Sequence, residues 1–172
     1  MVAWLAGGMD DLGGALVLAA AWMAISGAHI LPVITWGHIM TGDLGDTDAW
    51  TDNGSRLVAQ MVGAILALML VGEGSHTAAA APDMWSFDLW ATLTAVGAGA
   101  LLWTVYDRCD AWVTAFVVMA MAGTLSLGGA ADMGGALIGG GDDMAASAVA
   151  WIMDGLWVGV GALVATKVPD ML

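Results

Sequence analysis

Apolar residues run nearly unbroken through five windows of this chain, Leu12–Ile25, Leu57–Val71, Leu89–Val105, Trp112–Leu127 and Ala145–Val168, with the polar residues gathered between them. Each window, counted with its flanks, is near the ~20 residues that a helix needs to cross a bilayer. The pattern predicts five membrane-crossing helices and no strands. Two stretches interrupt it. Ser26–Gly37, Ser-Gly-Ala-His-Ile-Leu-Pro-Val-Ile-Thr-Trp-Gly, stays apolar past a Gly, a His and a Pro before the first loop at Gly42–Asp52. Pro is tolerated in the first turn of a helix, where its missing N–H has no intrahelical partner, so a short half-helix from Pro32 to Met40 is expected. Thr41–Gly54 then reads as an acidic loop. Gly123–Gly141 is dense in glycine, and each helix-interior Gly costs about 1 kcal/mol relative to Ala, which predicts a loop with at most a short helical piece.

Irregular backbone at membrane depth persists only where protein buries it or where it lines a watery cavity, so the first break marks a candidate pathway or binding site. The second break mirrors its position. Span, broken loop and span thus occur twice, over 12–71 and 89–168, within a single membrane domain spanning 1–172, and Glu73–Phe87 joins the halves. An odd number of crossings between them gives the halves opposite orientations, and such inverted repeats commonly hold a substrate site near the midplane.

Composition narrows the function classes. Of 172 residues 60% are apolar and 11% charged, and the mean hydropathy of +0.84 belongs to an integral membrane protein rather than a soluble one. Sixteen acids, all Asp except Glu73, oppose Arg56, Arg108 and Lys167 for a formal net charge of −13. Such an excess repels nucleic acid and anionic lipid. It fits exposed loops adapted to a salty medium, as in the cell membrane of a prokaryote living there; a cation-attracting vestibule is the alternative. Cys109 stands alone, which excludes an intrachain disulfide, and Met1–Met9 does not read as a signal peptide. No nucleophile with a base partner, phosphate loop or dinucleotide fingerprint occurs, so an enzyme is not expected. His29, His38 and His76 lack a metal-ligand spacing, and neither metal nor cofactor is expected.

Single residues carry weaker signals. His29 reads either as a hydrogen-bonding or pH-sensitive group beside water, or as a residue that fixes the loop by bonding backbone; the second is preferred. His38 is expected to pack on the outer face of the half-helix, and His76 to be solvated. Asp132 suits the positive end of a second half-helix. Asp154 is an acid within a span but falls near its outer interface, so a structural role is preferred over proton relay. Trp4, Trp36, Trp50, Trp85, Trp90 and Trp103 lie near predicted helix ends and read as interfacial anchors.

Ser26-Gly27-Ala28-His29, Pro32 and Thr35 stand where the aquaporin and glyceroporin (major intrinsic protein) family has six of the ten residues of its first pore block, Ser-Gly-Ala-His-x-Asn-Pro-Ala-Val-Thr. Gln60, Gly63 and Ala64 resemble the family's third helix and Trp157-Val158-Gly159 its last. In the second loop only Gly129, Ala130 and Gly139 match. The chain departs from the pattern where the family is most characteristic: Asn-Pro-Ala is replaced by Leu31-Pro32-Val33 and by Met133-Gly134-Gly135, and the constriction Arg by Ala136. The family's first helix has no counterpart.

The resemblance implies an all-α aquaporin-like inverted repeat of about five transmembrane helices plus two re-entrant half-helix loops. It implies a passive channel for water or small neutral solutes, lined by His29, Leu31, Pro32, Val33, Met121, Met133, Gly134, Gly135 and Ala136, in a homotetramer within the lipid bilayer. Losing the Arg removes bulk and a barrier to cations, while the two half-helix dipoles still oppose them. If the first loop faces the cytoplasm, as in the family, Arg56, Arg108 and Lys167 fall on that side, the N-terminus lies outside, and the positive-inside rule is met. The alternatives are a non-conducting structural or accessory subunit derived from the same fold, working with partner membrane subunits, and a small pigment-binding or respiratory subunit using His29 or His38 as a ligand.

Overall fold

Aspartates start three of the helices. The Asp11 carboxylate accepts from Gly14 N–H at 2.7 Å at the head of α1 (Leu12–Ala24). Asp46 accepts from Asp48 and Ala49 at 2.9 and 3.2 Å at the head of α3 (Thr47–Val71), and Asp88 from Trp90 and Ala91 at 2.8 and 3.1 Å at the head of α4 (Leu89–Arg108). A carboxylate there satisfies orphan amides and complements the helix dipole. Part of the acidic excess is therefore structural. Between α1 and α3 lies α2 (Pro32–Thr41), with Pro32 in its first turn; α5 (Ala111–Ala122), α6 (Ala130–Gly139) and α7 (Met144–Lys167) complete the order. This computed structural model describes residues 11–25, 27–71, 87–122, 130–139 and 144–168, and all regular structure among them is helical. Trp4, His76 and Trp85 lie outside the described residues.

Helix boundaries differ from the expected ones in two places. The loop after α2 is short, because the Asp46 cap starts α3 well before the apolar window at Leu57. The polar residues from Thr47 on, read as loop, are helical, and among them Asn53 is buried and accepts from Arg56 Nη1 at 3.0 Å. Likewise α4 runs on through Tyr106 to Arg108, and the turn before α5 shrinks to Cys109–Asp110. Within Gly123–Gly141 the short helical piece is α6.

The helices Leu89–Arg108 and Met144–Lys167 and the stretch Thr47–Leu70 of α3 are long and apolar enough to cross a membrane, yet only 17%, 28% and 17% of their most apolar windows are buried within the protein. Their outward faces carry Val62, Leu66, Met69, Leu93, Leu101 and Val164 in the open. Contiguous apolar surface of this kind is a liability in water and a fit to lipid. Among the described residues the chain is all-helical, and three of its helices have the length and apolarity of membrane spans. α1 and α5 are apolar but shorter, so three of the five expected crossings meet the length criterion among the described residues.

Inward contacts rest on small residues. α4 and α7 form the most extensive pair, and they meet main chain to main chain. A Cβ on Gly99 would overlap the backbone of Val158, and one on Gly161 the backbone at Val96 and Ala100. α2 lies on α7 in the same manner, with the Trp36 indole over Gly155 and Met40 over Gly159, while Gly37 is covered by the Trp103 ring. Without a hydrophobic driving force between helices in lipid, such close approach supplies the dispersion that holds them. Trp36 is 8% exposed and is a packing residue, not the interfacial anchor expected; Trp50 and Trp90 do remain exposed. Elsewhere α1 packs on α5, and α3 on α6. Leu18, Ile34, Leu102 and Val118, each no more than 2% exposed, tie α1, α2, α4 and α5 into one apolar core.

Gly161→Leu is therefore expected to lower stability by about 3 kcal/mol, the upper end for overpacking a filled site. Gly97→Ala, on the open side of α4 where an added Cβ meets nothing within 4 Å, should leave stability unchanged or raise it by up to about 1 kcal/mol. Reversible unfolding in detergent, followed by circular dichroism, measures both.

Candidate functional site

The chain leaves α1 at Ile25 and reverses at Gly27, whose φ of +73° is a left-handed conformation that favours glycine. Ala28 N–H then closes a turn onto the Ile25 carbonyl at 3.1 Å. Leu31 is extended, as the residue before a proline tends to be, and Pro32 starts α2 with no side-chain cap. The backbone in this segment is satisfied by side chains from its neighbours. Trp22 Nε1 of α1 donates to the Ala28 carbonyl at 2.9 Å. From α3, the Gln60 amide donates to the His29 carbonyl and, at 3.0 Å, to Thr35 Oγ1, a hydroxyl buried at 0% exposure. One amide thus fixes the loop and the first turn of α2 together.

Beyond the clamp is an aromatic group. The His29 and His38 rings stack with centroids 4.1 Å apart and planes 13° from parallel. Trp103 and Tyr106 of α4 meet the His38 ring edge-on at 5.0 and 5.9 Å, and Tyr106 also contacts Trp22 at 6.1 Å. Aromatic pairs in these geometries contribute about 0.5–1.5 kcal/mol each beyond their buried area. Arg56 of α3 is exposed, and its charge reaches His29, His38 and Tyr106. His29 Nδ1, His38 Nε2, Gln60 Oε1 and Trp36 Nε1 are buried without a hydrogen-bond partner. A metal held by both imidazoles would have to lie near both ring planes, and these planes are stacked apart and nearly parallel, so this pair does not converge on a single ion. Among the described residues no group of three or more His, Cys, Asp or Glu is placed to hold one.

The expected lining residues divide between two places. His29 and Leu31 are half-buried, Pro32 is buried, and Val33 and Met121 belong to the apolar core, with Leu31 packed against it. Met133, Gly134 and Gly135 are buried on α6, where Gly134 faces Ala64 and Ile65 of α3, and Ala136 is half-buried one residue on. His38 does pack, against His29 and α4 as well as its own helix. Cys109 is exposed. Asp154 is half-buried within α7. The clamp by Gln60 and the aromatic partners Trp22, Trp103 and Tyr106 were not foreseen as parts of the site. A glutamine inside the apolar window Leu57–Val71 was the available signal, because a polar side chain in a membrane helix turns toward a partner.

Comparison with protein-family models, curated proteins and solved structures gave no match to this chain.

Replacing Gln60 by Leu leaves the His29 carbonyl and Thr35 hydroxyl without their donor, at a cost of about 1–3 kcal/mol for unsatisfied buried groups. Unfolding of Gln60→Leu in detergent should show that loss, and hydrogen exchange should show it concentrated at residues 27–35. A uniform loss over all helices would contradict the clamp.

Proposed function

We propose that this chain is a passive membrane channel for water or small neutral solutes, built as an aquaporin-like inverted repeat. The observation that carries the reading is an exchange relation among helix contacts. Swapping α1 with α5, α2 with α6 and α3 with α7 turns the contact α2–α7 into α6–α3, turns α2–α3 into α6–α7, and leaves α1–α5 as it is; all of these contacts are present. α4 stands outside the exchange. Two half-helices that trade partners in this way support a two-fold relation between the halves, and a site between such halves is where transporters and channels hold their solute.

The permeation path runs beside His29, Leu31 and Ala136, the lining residues that keep accessible surface. With Leu31 and Val33 where the resembled family has Asn and Ala, and Ala136 where it has Arg, this path offers few hydrogen-bond donors and suits small neutral solutes over strict water selectivity. Assembly as a homotetramer follows from the resemblance. The acidic surface, with sixteen acids against three basic residues, supports a prokaryotic cell membrane in a salty medium.

A second reading, a non-conducting structural or accessory subunit, has its own observation. Val33, Met121 and Met133 are 3%, 7% and 7% exposed, so these lining candidates are packed rather than open to a solute.

Stopped-flow light scattering on proteoliposomes separates the two. Permeability to water, glycerol or urea should exceed that of empty liposomes, and Ala136→Trp should cut it by about half or more by filling the constriction. Permeability equal to that of empty liposomes, with helical content intact, would favour the accessory subunit.

A further inference from the structure

We propose that the stacked His29 and His38 rings are a proton-operated latch: neutral, they hold the 27–31 loop against α2 and α4, and protonation separates them and loosens the loop. The rings lie parallel at 4.1 Å, and each carries a buried ring nitrogen with no partner, Nδ1 of His29 and Nε2 of His38. Buried polar atoms are nearly always paired, so two unpaired ones in contacting rings mark a state held together by its packing and not by its hydrogen bonds. Separating the rings lets water reach both nitrogens. Orphan atoms in a closed state with relief in an open one are what a two-state element requires.

Charge fixes the direction. A proton taken up by the stack puts a charge on a half-buried ring whose buried nitrogen has no partner, which is worse placed than the neutral ring. A second proton sets like charges in contacting rings. The groups facing the pair from the surrounding helices do not offset this. α3 presents Arg56, a further positive charge that reaches both rings, and the neutral Gln60. α4 presents Trp103 and Tyr106, and α1 presents Trp22 against Tyr106. Asp107 and Asp110 are exposed at the turn between α4 and α5, and neither is among the charges that reach either ring. Protons therefore bind the separated rings better than the stacked ones, and falling pH moves the population toward separation. The Gln60 clamp on the His29 carbonyl keeps the loosened loop in place, so the change is local and reversible. Used as a gate on permeation, the latch rests on the channel reading above; as a conformational switch it does not.

The test is hydrogen exchange with mass spectrometry on the full chain in lipid nanodiscs, at about pH 7.5 and about pH 4.5, either side of the ordinary imidazole value of about 6.5. Exchange of the peptide spanning 25–31 is normalised to the unfolded chain at each pH. The wild type should lose about tenfold of its protection in acid, a sub-global opening, with α4 and α7 unchanged. His38→Phe keeps a stacking ring that cannot take a proton and should stay protected at both pH values; His29→Phe should do the same if His38→Phe folds poorly by circular dichroism. Equal protection of the wild type at both pH values, or an acid loss that persists in both Phe variants, overturns the latch. Proteoliposome permeability at the same two pH values distinguishes the readings. A rise in acid that His38→Phe abolishes supports latch and channel together, whereas a loop that opens in liposomes no leakier than empty ones supports the latch and removes the channel.

Discussion

Backbone that leaves a helix at membrane depth has to find its hydrogen bonds inside the protein, and here two side chains supply them. Gln60 reaches from α3 to the His29 carbonyl and the Thr35 hydroxyl, and Trp22 reaches from α1 to the Ala28 carbonyl. Everything nearby depends on those contacts. They fix the chain on either side of Leu31, which the following proline keeps extended, and so set where α2 begins; the direction of α2 then lays Trp36 and Met40 on the glycines of α7 and brings His38 under His29. A buried loop without such partners would leave carbonyls facing hydrocarbon, and α2 would have no fixed starting point.

Leu31, at the position where the resembled family carries Asn, belongs with that loop. A buried amide at this position would itself need partners, and unpaired atoms already lie here on His29 of the loop and on Gln60 of α3. Leu31 instead packs on the apolar core that Val33 joins. An apolar residue here makes the loop easier to bury, and under the channel reading it makes the passage greasier. Both functional readings draw on this one residue: it widens the choice of solute if a path stays open, and it completes the packing if none does.

Much of the architecture was legible because lipid imposes crude rules. Length and apolarity located the helices, Pro32 located the start of the half-helix, and glycine density confined helix in the second loop to the short piece Ala130–Gly139. The misses have a common cause. Asp46 and Asn53 read as loop because their polarity resembles that of irregular chain, yet a cap and a buried amide are how this helix extends beyond its apolar window. Trp36 and Trp103 read as interfacial anchors because they fall near helix ends, whereas opposing glycines and histidines draw them inward. The pairing of His29 with His38 could not be read from a spacing of nine residues, since it depends on the reversal at Gly27 and on a wall contributed by α4. Which helix meets which is a property of tertiary packing, and the exchange of partners between α2 and α6 emerges only there.

The seam between α4 and α7 has an evolutionary consequence. At Gly99 and Gly161 the side chain is already the smallest available, and the opposing surface is main chain that no substitution elsewhere can trim. Variation at these sites has a single direction, toward more atoms, and no second-site change can restore the lost space without moving a helix. The lipid-facing positions are the opposite case, free to drift among residues of similar apolarity. Descendants of this chain should therefore diverge quickly on their outer faces while the seam stands still, which makes the seam a better marker of descent than the lipid-facing surface.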